Sequence, residues 1–253
     1  MSRQELRAPD AFQRVGIEAE GWVAHRKTLV IGAVVALIAV GFGVGLARTL
    51  SERRELKAQT ALGTALGVLA RPVQVDLPAG ATEDPAPFKS EQARDQASAV
   101  ALAGVLSTFP GSKAALTATL PLAATEVRLG QPDQAIPHFE AYLRAAPSAE
   151  PLRVAALDGL GHAHEAKGEL PLALEAYERM SRDEAAGFQA GMGAYNRARI
   201  LVLMGKKQEA AQALAELVAA NPGTPAAKMG QERLSVLEAE GFRAVIAPRP
   251  DAG

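Results

Sequence analysis

The sequence predicts an all-α protein in which a single N-terminal transmembrane helix precedes a solenoid of about three to four helix pairs. Three observations support this prediction. Residues 29–47 form an apolar run without a charged or hydroxyl side chain. The chain beyond it repeats a pattern of small and bulky residues in steps of 38 and 37 residues. Aromatic residues make up 4% of the chain, and the abundant Ala, Leu and Glu favour helices packed through small side chains.

The apolar run has the length of a membrane span. At about 1.5 Å per residue it reaches roughly 29 Å as a helix, close to the hydrocarbon thickness of a bilayer. A cleaved signal peptide is the alternative, because Gly45-Leu46-Ala47 resembles a cleavage site. The acidic residues in the preceding arm and the length of the run favour a span that is retained. We therefore expect residues 29–47 to contact the lipid bilayer as a transmembrane helix.

Charge does not decide the orientation of this span, because basic residues flank it on both sides. The flanking residues are Arg14, Arg26 and Lys27 before it, and Arg48, Arg53, Arg54 and Lys57 after it. Gly41 and Gly45 form a GxxxG pair, whose spacing lets two helices approach closely. The pair predicts helix packing in a homodimer, although a span rich in Gly and Ala also produces such pairs by chance.

The segments on either side of the run differ in character. Residues 1–28 form an arm whose apolar residues recur at helical spacing, which indicates an amphipathic helix at the membrane interface or a solvated extension of the span. Residues 48–70 predict a juxtamembrane helix that packs on the following domain. Residues 71–90 contain four prolines and predict a linker that is not helical.

Residues 91–240 contain the repeat, which aligns on Gly130, Gly168 and Gly205. In each unit a small residue stands seven positions before the glycine, an alanine five positions after it, and a bulky residue four positions further on. These residues are Ala123, Gly161 and Ala198; Ala135, Ala173 and Ala210; and Phe139, Tyr177 and Leu214. Small residues allow two helices to cross closely, the glycine ends the first helix, and the bulky residue fills the space between units.

Proline and hydroxyl residues mark the junctions between units. Pro110 and Pro222 end the preceding helices, and Ser112 and Thr224 are predicted to cap the following ones. Pro225 then occupies a first helical position. Residues 225–239 predict a capping helix, and residues 241–253, with two prolines, predict a disordered tail.

This pattern resembles tetratricopeptide (TPR) repeats, most closely in the middle unit, with Gly161, Gly168, Ala173 and Tyr177. The longer period and the prolines that close the units resemble the bacterial envelope subgroup of these repeats. One early span followed by such repeats resembles the YfgM-like family of ancillary Sec translocon subunits. The resemblance implies a bacterial inner-membrane protein with a cytoplasmic N-terminus and a periplasmic repeat domain. Its expected partners are translocon subunits, periplasmic chaperones or emerging polypeptides.

In repeats of this type the first helix of each pair lines the concave wall. Counting back from each glycine predicts a protein-binding face on these helices. Its residues are Arg128, Asp158, His162, Glu165, Tyr195 and Arg199. A groove for a peptide segment is the functional interpretation, and a solvated helix face is the alternative.

The same sequence gives no positive indication of catalysis or of a cofactor. The chain has no cysteine, which excludes thiol catalysis, Cys-based zinc sites and an acylated-Cys anchor. His162 and His164 are two residues apart and point to different helix faces, so we expect no metal site. The net charge of -1 provides no basic surface for nucleic acid.

We therefore predict a membrane-anchored interaction scaffold that assists translocation or periplasmic folding, and not an enzyme. The alternative is a scaffold of the same architecture in envelope assembly or cell division. The repeat register also predicts that Ala173 lies at a helix crossing, whereas Ala176, three residues further on, faces solvent.

Overall fold

The computed structural model describes residues 27–74, 87–183 and 190–244. Within these ranges the chain is helical except for turns and one isolated parallel bridge between Val73 and Phe88. We number the helices in chain order. They are α1 (Lys27–Leu69), α2 (Glu91–Thr108), α3 (Lys113–Arg128), α4 (Pro132–Ala145), α5 (Leu152–Ala166), α6 (Leu170–Asp183), α7 (Met192–Leu203), α8 (Lys207–Ala220) and α9 (Pro225–Ala239).

The chain divides into two compact units, residues Met1–Leu56 and Lys57–Gly253. In the first unit, the described residues belong to α1, and the large apolar side chains that the structure describes there are exposed. Leu37 and Phe42, for example, are 72% and 75% exposed. By length and composition α1 is the one helix in the described ranges that could cross a membrane, with a segment of mean hydropathy 1.4 inside Val35–Leu69.

The predicted arm at residues 1–28 falls outside the described residues apart from its last two positions. The Pro-rich linker is described only at its ends, where Gln74 donates a backbone hydrogen bond of 2.9 Å to Phe88. The guanidinium of Arg71 lies 4.4 Å from the centre of the Phe88 ring. Most of the predicted tail, residues 245–253, also lies outside the described ranges.

The second unit consists of helix pairs that follow the predicted register. Helices α3 and α4, α5 and α6, and α7 and α8 form three pairs, and α9 packs on α8 at the end of the row. The end of α1 packs through Ala65 against α2 and α3, in a cluster that contains Leu102 and Leu122. We call α3, α5 and α7 the A helices and α4, α6 and α8 the B helices.

Glycine closes the turn inside each pair, as predicted. Gly130, Gly168 and Gly205 have φ angles of 71°, 75° and 78°, in the left-handed region that favours glycine. The predicted caps are also confirmed, because Ser112 accepts a hydrogen bond from the N–H of Ala115 and Thr224 accepts one from Ala227. These local signals therefore determine where the helices begin and end.

The core consists of the repeat positions that the alignment identifies. Phe139, Tyr177 and Leu214 are almost completely buried, and so are the alanines of the helix crossings. Small residues are required beside the aromatic rings. A Cβ atom added to Gly161 would lie 2.5 Å from the Tyr177 ring, and one added to Gly159 would lie 2.3 Å from the Phe139 ring.

One expectation about this core is wrong. Ala173 is fully buried, as predicted, but Ala176 is only 2% exposed and does not face solvent. Helix α6 contacts α7 as well as α5, so it buries two sides and not one. Positions three residues apart on a helix lie about one turn apart, so both alanines fall within this broad buried surface.

Candidate protein-binding face

The A helices present four equivalent positions along one face of the repeat domain. They stand ten, nine, six and three residues before the turn glycine of each unit. In the first unit they are Leu120, Pro121, Ala124 and Val127. In the second they are Asp158, Gly159, His162 and Glu165. In the third they are Tyr195, Asn196, Arg199 and Val202. These twelve residues determine what the face can bind.

A groove with a volume of about 470 Å³ lies between α3 and α5, and we call it the apolar groove. It exists because small side chains stand at positions such as Ala124, Ala155 and Gly159, while the ring of Phe139 lies beneath them. Its volume is within the range of about 300–1,000 Å³ that is usual for binding sites. The lining residues are Leu120, Pro121, Ala124, Val127, Phe139, Ala155, Asp158, Gly159 and His162.

Between α5 and α7, by contrast, long polar side chains bridge the two helices, and we call this contact the polar junction. Asn196 Nδ2 donates a hydrogen bond of 3.0 Å to Asp158 Oδ1. Arg199 donates to both carboxylate oxygens of Glu165, with 2.7 Å between Nη2 and Oε2. The guanidinium of Arg199 also lies 6.0 Å from the centre of the Tyr177 ring. The junction therefore contains a bidentate ion pair, the geometry that makes such pairs strongest.

The two carboxyl groups of the polar junction titrate in opposite directions. Hydrogen bonds from Arg199 lower the pKa of the Glu165 carboxyl below its usual value. Burial raises the pKa of the Asp158 carboxyl, although His162, Arg199 and the hydrogen bond from Asn196 act in the lowering direction. Glu165 is thus neutralised by a partner, whereas Asp158 carries a negative charge in a site that penalises it.

A second groove of about 590 Å³ lies between α7 and α9, and we call it the mixed groove. It includes Tyr195 and Val202 from α7 and the exposed Val236 from α9. Lys207 and Glu240 form an ion pair of 2.7 Å at its edge. The polar junction therefore has a groove on each side of it along the row of A helices.

The structure brings most of the predicted binding residues together. Asp158, Glu165 and Arg199 belong to the polar junction, and His162 lies beside it, with its ring edge-on to Tyr177 at 5.8 Å. Tyr195 lines the mixed groove. Arg128, however, pairs with Asp95 on α2 at 2.7 Å, and this contact lowers the pKa of the Asp95 carboxyl.

Sequence reasoning missed the apolar wall of the groove and two partners of the polar junction. Because only polar residues were counted back from the glycines, Leu120, Pro121, Ala124 and Val127 were passed over. Asn196 and Tyr177 were also not recognised as partners of Asp158 and Arg199. Comparing all four equivalent positions in every unit would have identified Asn196, which stands at the same position as Gly159.

The remaining candidate residues have simpler surroundings. Gly41 and Gly45 are exposed on α1, and a Cβ atom added to either would meet no heavy atom within 4 Å. His138 and His164 each contact one carboxylate, of Glu126 at 2.8 Å and of Glu169 at 2.7 Å. Within the described ranges, no group of three or more His, Asp and Glu side chains could hold a metal ion.

Comparisons with known proteins agree with this architecture. The tetratricopeptide repeat family matches residues 120–187, which include the apolar groove and the middle unit. No curated protein sequence matches the chain. Among solved structures, the nearly identical TPR-like repeats of a Podosopora anserina protein named as a kinesin light chain superpose with a TM-score of 0.54. The identity is 18%, and the alignment covers 75% of this chain and 89% of that one.

A second structure of the same repeats, which carries a point substitution, gives a TM-score of 0.54 at 19% identity, with the same coverage. At this level of identity the likeness concerns the fold alone. The repeat geometry, the left-handed glycine turns and the family match lead to one conclusion. The chain is an all-α protein with a tetratricopeptide-like helical solenoid after one N-terminal apolar helix.

Proposed function

We propose that this protein is a membrane-anchored scaffold that binds other polypeptides through the face of its A helices. The observation that supports this proposal is the apolar groove between α3 and α5. Its wall on α3 consists of apolar side chains that face the open groove. Tetratricopeptide repeats usually act by binding proteins and not by catalysis. A groove of this size fits the side chains of a bound peptide segment.

The exposed apolar surface of α1 supports the membrane anchor. Leu29, Leu37, Ile38 and Phe42 are all more than 60% exposed, which would be costly in water over such a length. A bilayer removes this cost, since the apolar run matches its thickness. We further propose that the anchor lies in a bacterial inner membrane, with the repeats in the periplasm beside the Sec translocon.

Topology is tested first, by adding protease to spheroplasts that express the full chain. Periplasmic repeats are digested from outside, so fragments that contain α5 and α6 disappear before the membrane is broken. Protection of the repeats until lysis would reject the periplasmic arrangement. That outcome would favour the alternative function, a cytoplasmic scaffold for envelope assembly or cell division.

Binding is tested by placing a photo-reactive amino acid at Ala155 in the apolar groove and at Val236 in the mixed groove. Glu175, exposed on the B helix α6, provides the matched control position. Cross-linking in intact cells should trap translocon subunits or emerging polypeptides from the two groove positions and not from the control. Equal capture at all three positions, or recovery of neither class of partner, would contradict the proposal.

A further inference from the structure

The apolar groove contains one acidic side chain, and its surroundings determine which peptide fits. Of the nine residues that line the groove, Asp158 is the one with a carboxylate. Its Oδ1 atom accepts a hydrogen bond from Asn196, which is neutral. The His162 Nδ1 atom lies 2.9 Å from the backbone carbonyl oxygen of Asp158 and 3.6 Å from its Oδ1 atom. The carboxylate therefore lies at the wall of the groove without a guanidinium or ammonium bound to it in the described structure.

The basic side chains near this face are held by other acids. Arg199 is bound at both of its Nη atoms by Glu165, and Arg128 is bound by Asp95. Lys167 contacts Asp133 at 2.9 Å and Glu169 at 2.8 Å. A ligand carboxylate would thus meet the negative charge of Asp158 without a lysine or arginine among the residues that line the groove, where His162 is the one basic side chain.

Burial adds to this preference for a cation. The Asp158 carboxyl is partly desolvated by the helices around it, and this raises its pKa. A positive charge placed beside it would offset the cost of that desolvation. A neighbouring apolar segment would meanwhile cover Leu120 and Val127, which line the α3 side of the groove.

We infer that the apolar groove selects an apolar peptide segment that carries a basic side chain, with the cation beside Asp158. This inference rests on the proposed function, because it names the class of peptide that the same face binds. It excludes acidic and phosphorylated peptides, which Asp158 would repel. The apolar wall of α3 would bind the aliphatic side chains of the peptide, and Asp158 on α5 would determine where its basic side chain lies.

The test uses the full chain in nanodiscs of zwitterionic lipid, with empty nanodiscs as the baseline. Three dye-labelled peptides, acetylated and amidated, share an alternating Leu and Ala segment and differ at one adjacent position. That position holds Lys, the neutral isostere norleucine, or Glu. Fluorescence anisotropy gives the dissociation constant of each peptide for each protein variant.

Asp158→Asn removes the charge and keeps an oxygen that can accept the hydrogen bond from Asn196. Glu175→Gln makes the same change in net charge on the exposed face of α6 and is the matched control. Ala155→Trp fills the apolar groove and shows whether the peptides bind there.

We expect the Lys peptide to bind the natural protein about threefold to tenfold more tightly than the norleucine peptide, and the Glu peptide to bind most weakly. Asp158→Asn should remove the advantage of the Lys peptide over the norleucine peptide, whereas Glu175→Gln should preserve it. Ala155→Trp should abolish the binding of all three peptides.

A preference for Lys that survives in Asp158→Asn, or no preference in the natural protein, overturns the inference and leaves the scaffold function intact. Binding that survives in Ala155→Trp overturns the position of the site. If none of the peptides binds, the inference also fails. The scaffold function itself is decided separately by cross-linking from Ala155 and Val236.

Discussion

The junction between α3 and α5 and the junction between α5 and α7 have the same architecture. The first contains an open apolar groove, whereas the second is bridged by polar side chains. At the first, Ala124 and Val127 of α3 leave an open groove toward α5. At the second, Asn196 and Arg199 of α7 reach across to the carboxylates of α5. The repeat positions are equivalent, so the backbone does not determine whether a groove forms. The difference shows that a few side chains on each A helix determine whether neighbouring units present a binding site or a bridge.

The largest effect is expected from Ala173→Phe, because α5 takes part in both junctions and Ala173 is fully buried beneath it. Overpacking of this kind costs about 1–3 kcal/mol, sometimes more. In a domain of this size that corresponds to a fall in Tm of roughly 2–12 °C, measured by thermal unfolding of the full chain in detergent.

The control for this substitution is Glu175→Phe, two residues away on the exposed side of the same helix. The free energy of unfolding should change by less than about 0.5 kcal/mol, so the Tm should change correspondingly little. If the two variants melt at the same temperature, the repeat register is wrong, and so are the equivalent positions that define the two junctions.

The bridge itself is broken by Arg199→Ala. Glu165 is 23% exposed, so removal of its partner leaves a partly buried carboxylate without its bidentate donor. We expect a loss of about 1–3 kcal/mol and a fall in Tm of several degrees. The double variant Glu165→Ala with Arg199→Ala should lose less than the sum of the two single losses. Additive losses would show that the pair contributes no coupling energy.

The bridge can also be transferred to the groove. Val127 stands at the position of Glu165, and His162 stands at the position of Arg199. The double substitution Val127→Glu with His162→Arg should therefore place an ion pair across the apolar groove. The free energy of unfolding should change by no more than about 1 kcal/mol, so the Tm should stay close to that of the natural protein. The double variant should, however, no longer bind the norleucine peptide.

Each single substitution provides the control for this transfer, because neither Val127→Glu nor His162→Arg can form the pair alone. If the double variant still binds the peptide as the natural protein does, a side-chain bridge is not what separates the two junctions.

The smallest effects concern pH and have opposite signs for the two carboxylates. Glu165 has a lowered pKa in the fold, so its ionised form stabilises the protein at neutral pH, and this contribution is lost as pH falls through the folded pKa. Asp158 has a raised pKa, so its ionised form opposes folding at neutral pH and this cost vanishes in acid.

At pH 7, Glu165→Gln should therefore lower the Tm by a few degrees, and Asp158→Asn should raise it slightly. Both differences from the natural protein should shrink when unfolding is measured at a pH below the usual range of carboxyl groups. Changes of the same sign for the two variants at pH 7 would contradict this account of the polar junction.

The fold could be predicted from the sequence because its signals are local. Gly130, Gly168 and Gly205 end their helices through a backbone conformation that depends on the glycine itself, and Ser112 and Thr224 cap helices through their own side chains. The exposure of Ala176 could not be predicted in the same way. It depends on how much of α6 its neighbours cover, which a helical period does not specify.

The candidate site could be predicted only in part, for a related reason. Polar residues such as Asp158 and Arg199 can be recognised as candidates in a sequence. A groove, however, forms where small side chains are not covered by larger ones from a neighbouring helix. Gly159 is important because the ring of Phe139 lies 2.3 Å from where its Cβ atom would be. This contact depends on the distance between two stacked units. The sequence of either unit alone does not specify that distance.

The contacts of the repeat domain also determine how it can form. Each helix packs mainly on the helix before and after it, and the bridges of the polar junction span 38 and 34 residues, one repeat or less. Proteins rich in such short-range contacts fold quickly, because little loop entropy must be lost before a contact is made. A unit can therefore pack on its neighbour as soon as that neighbour has been synthesised, and each later helix adds to a surface that already exists. A chain that reaches its final compartment in extended form could rebuild this domain one helix at a time.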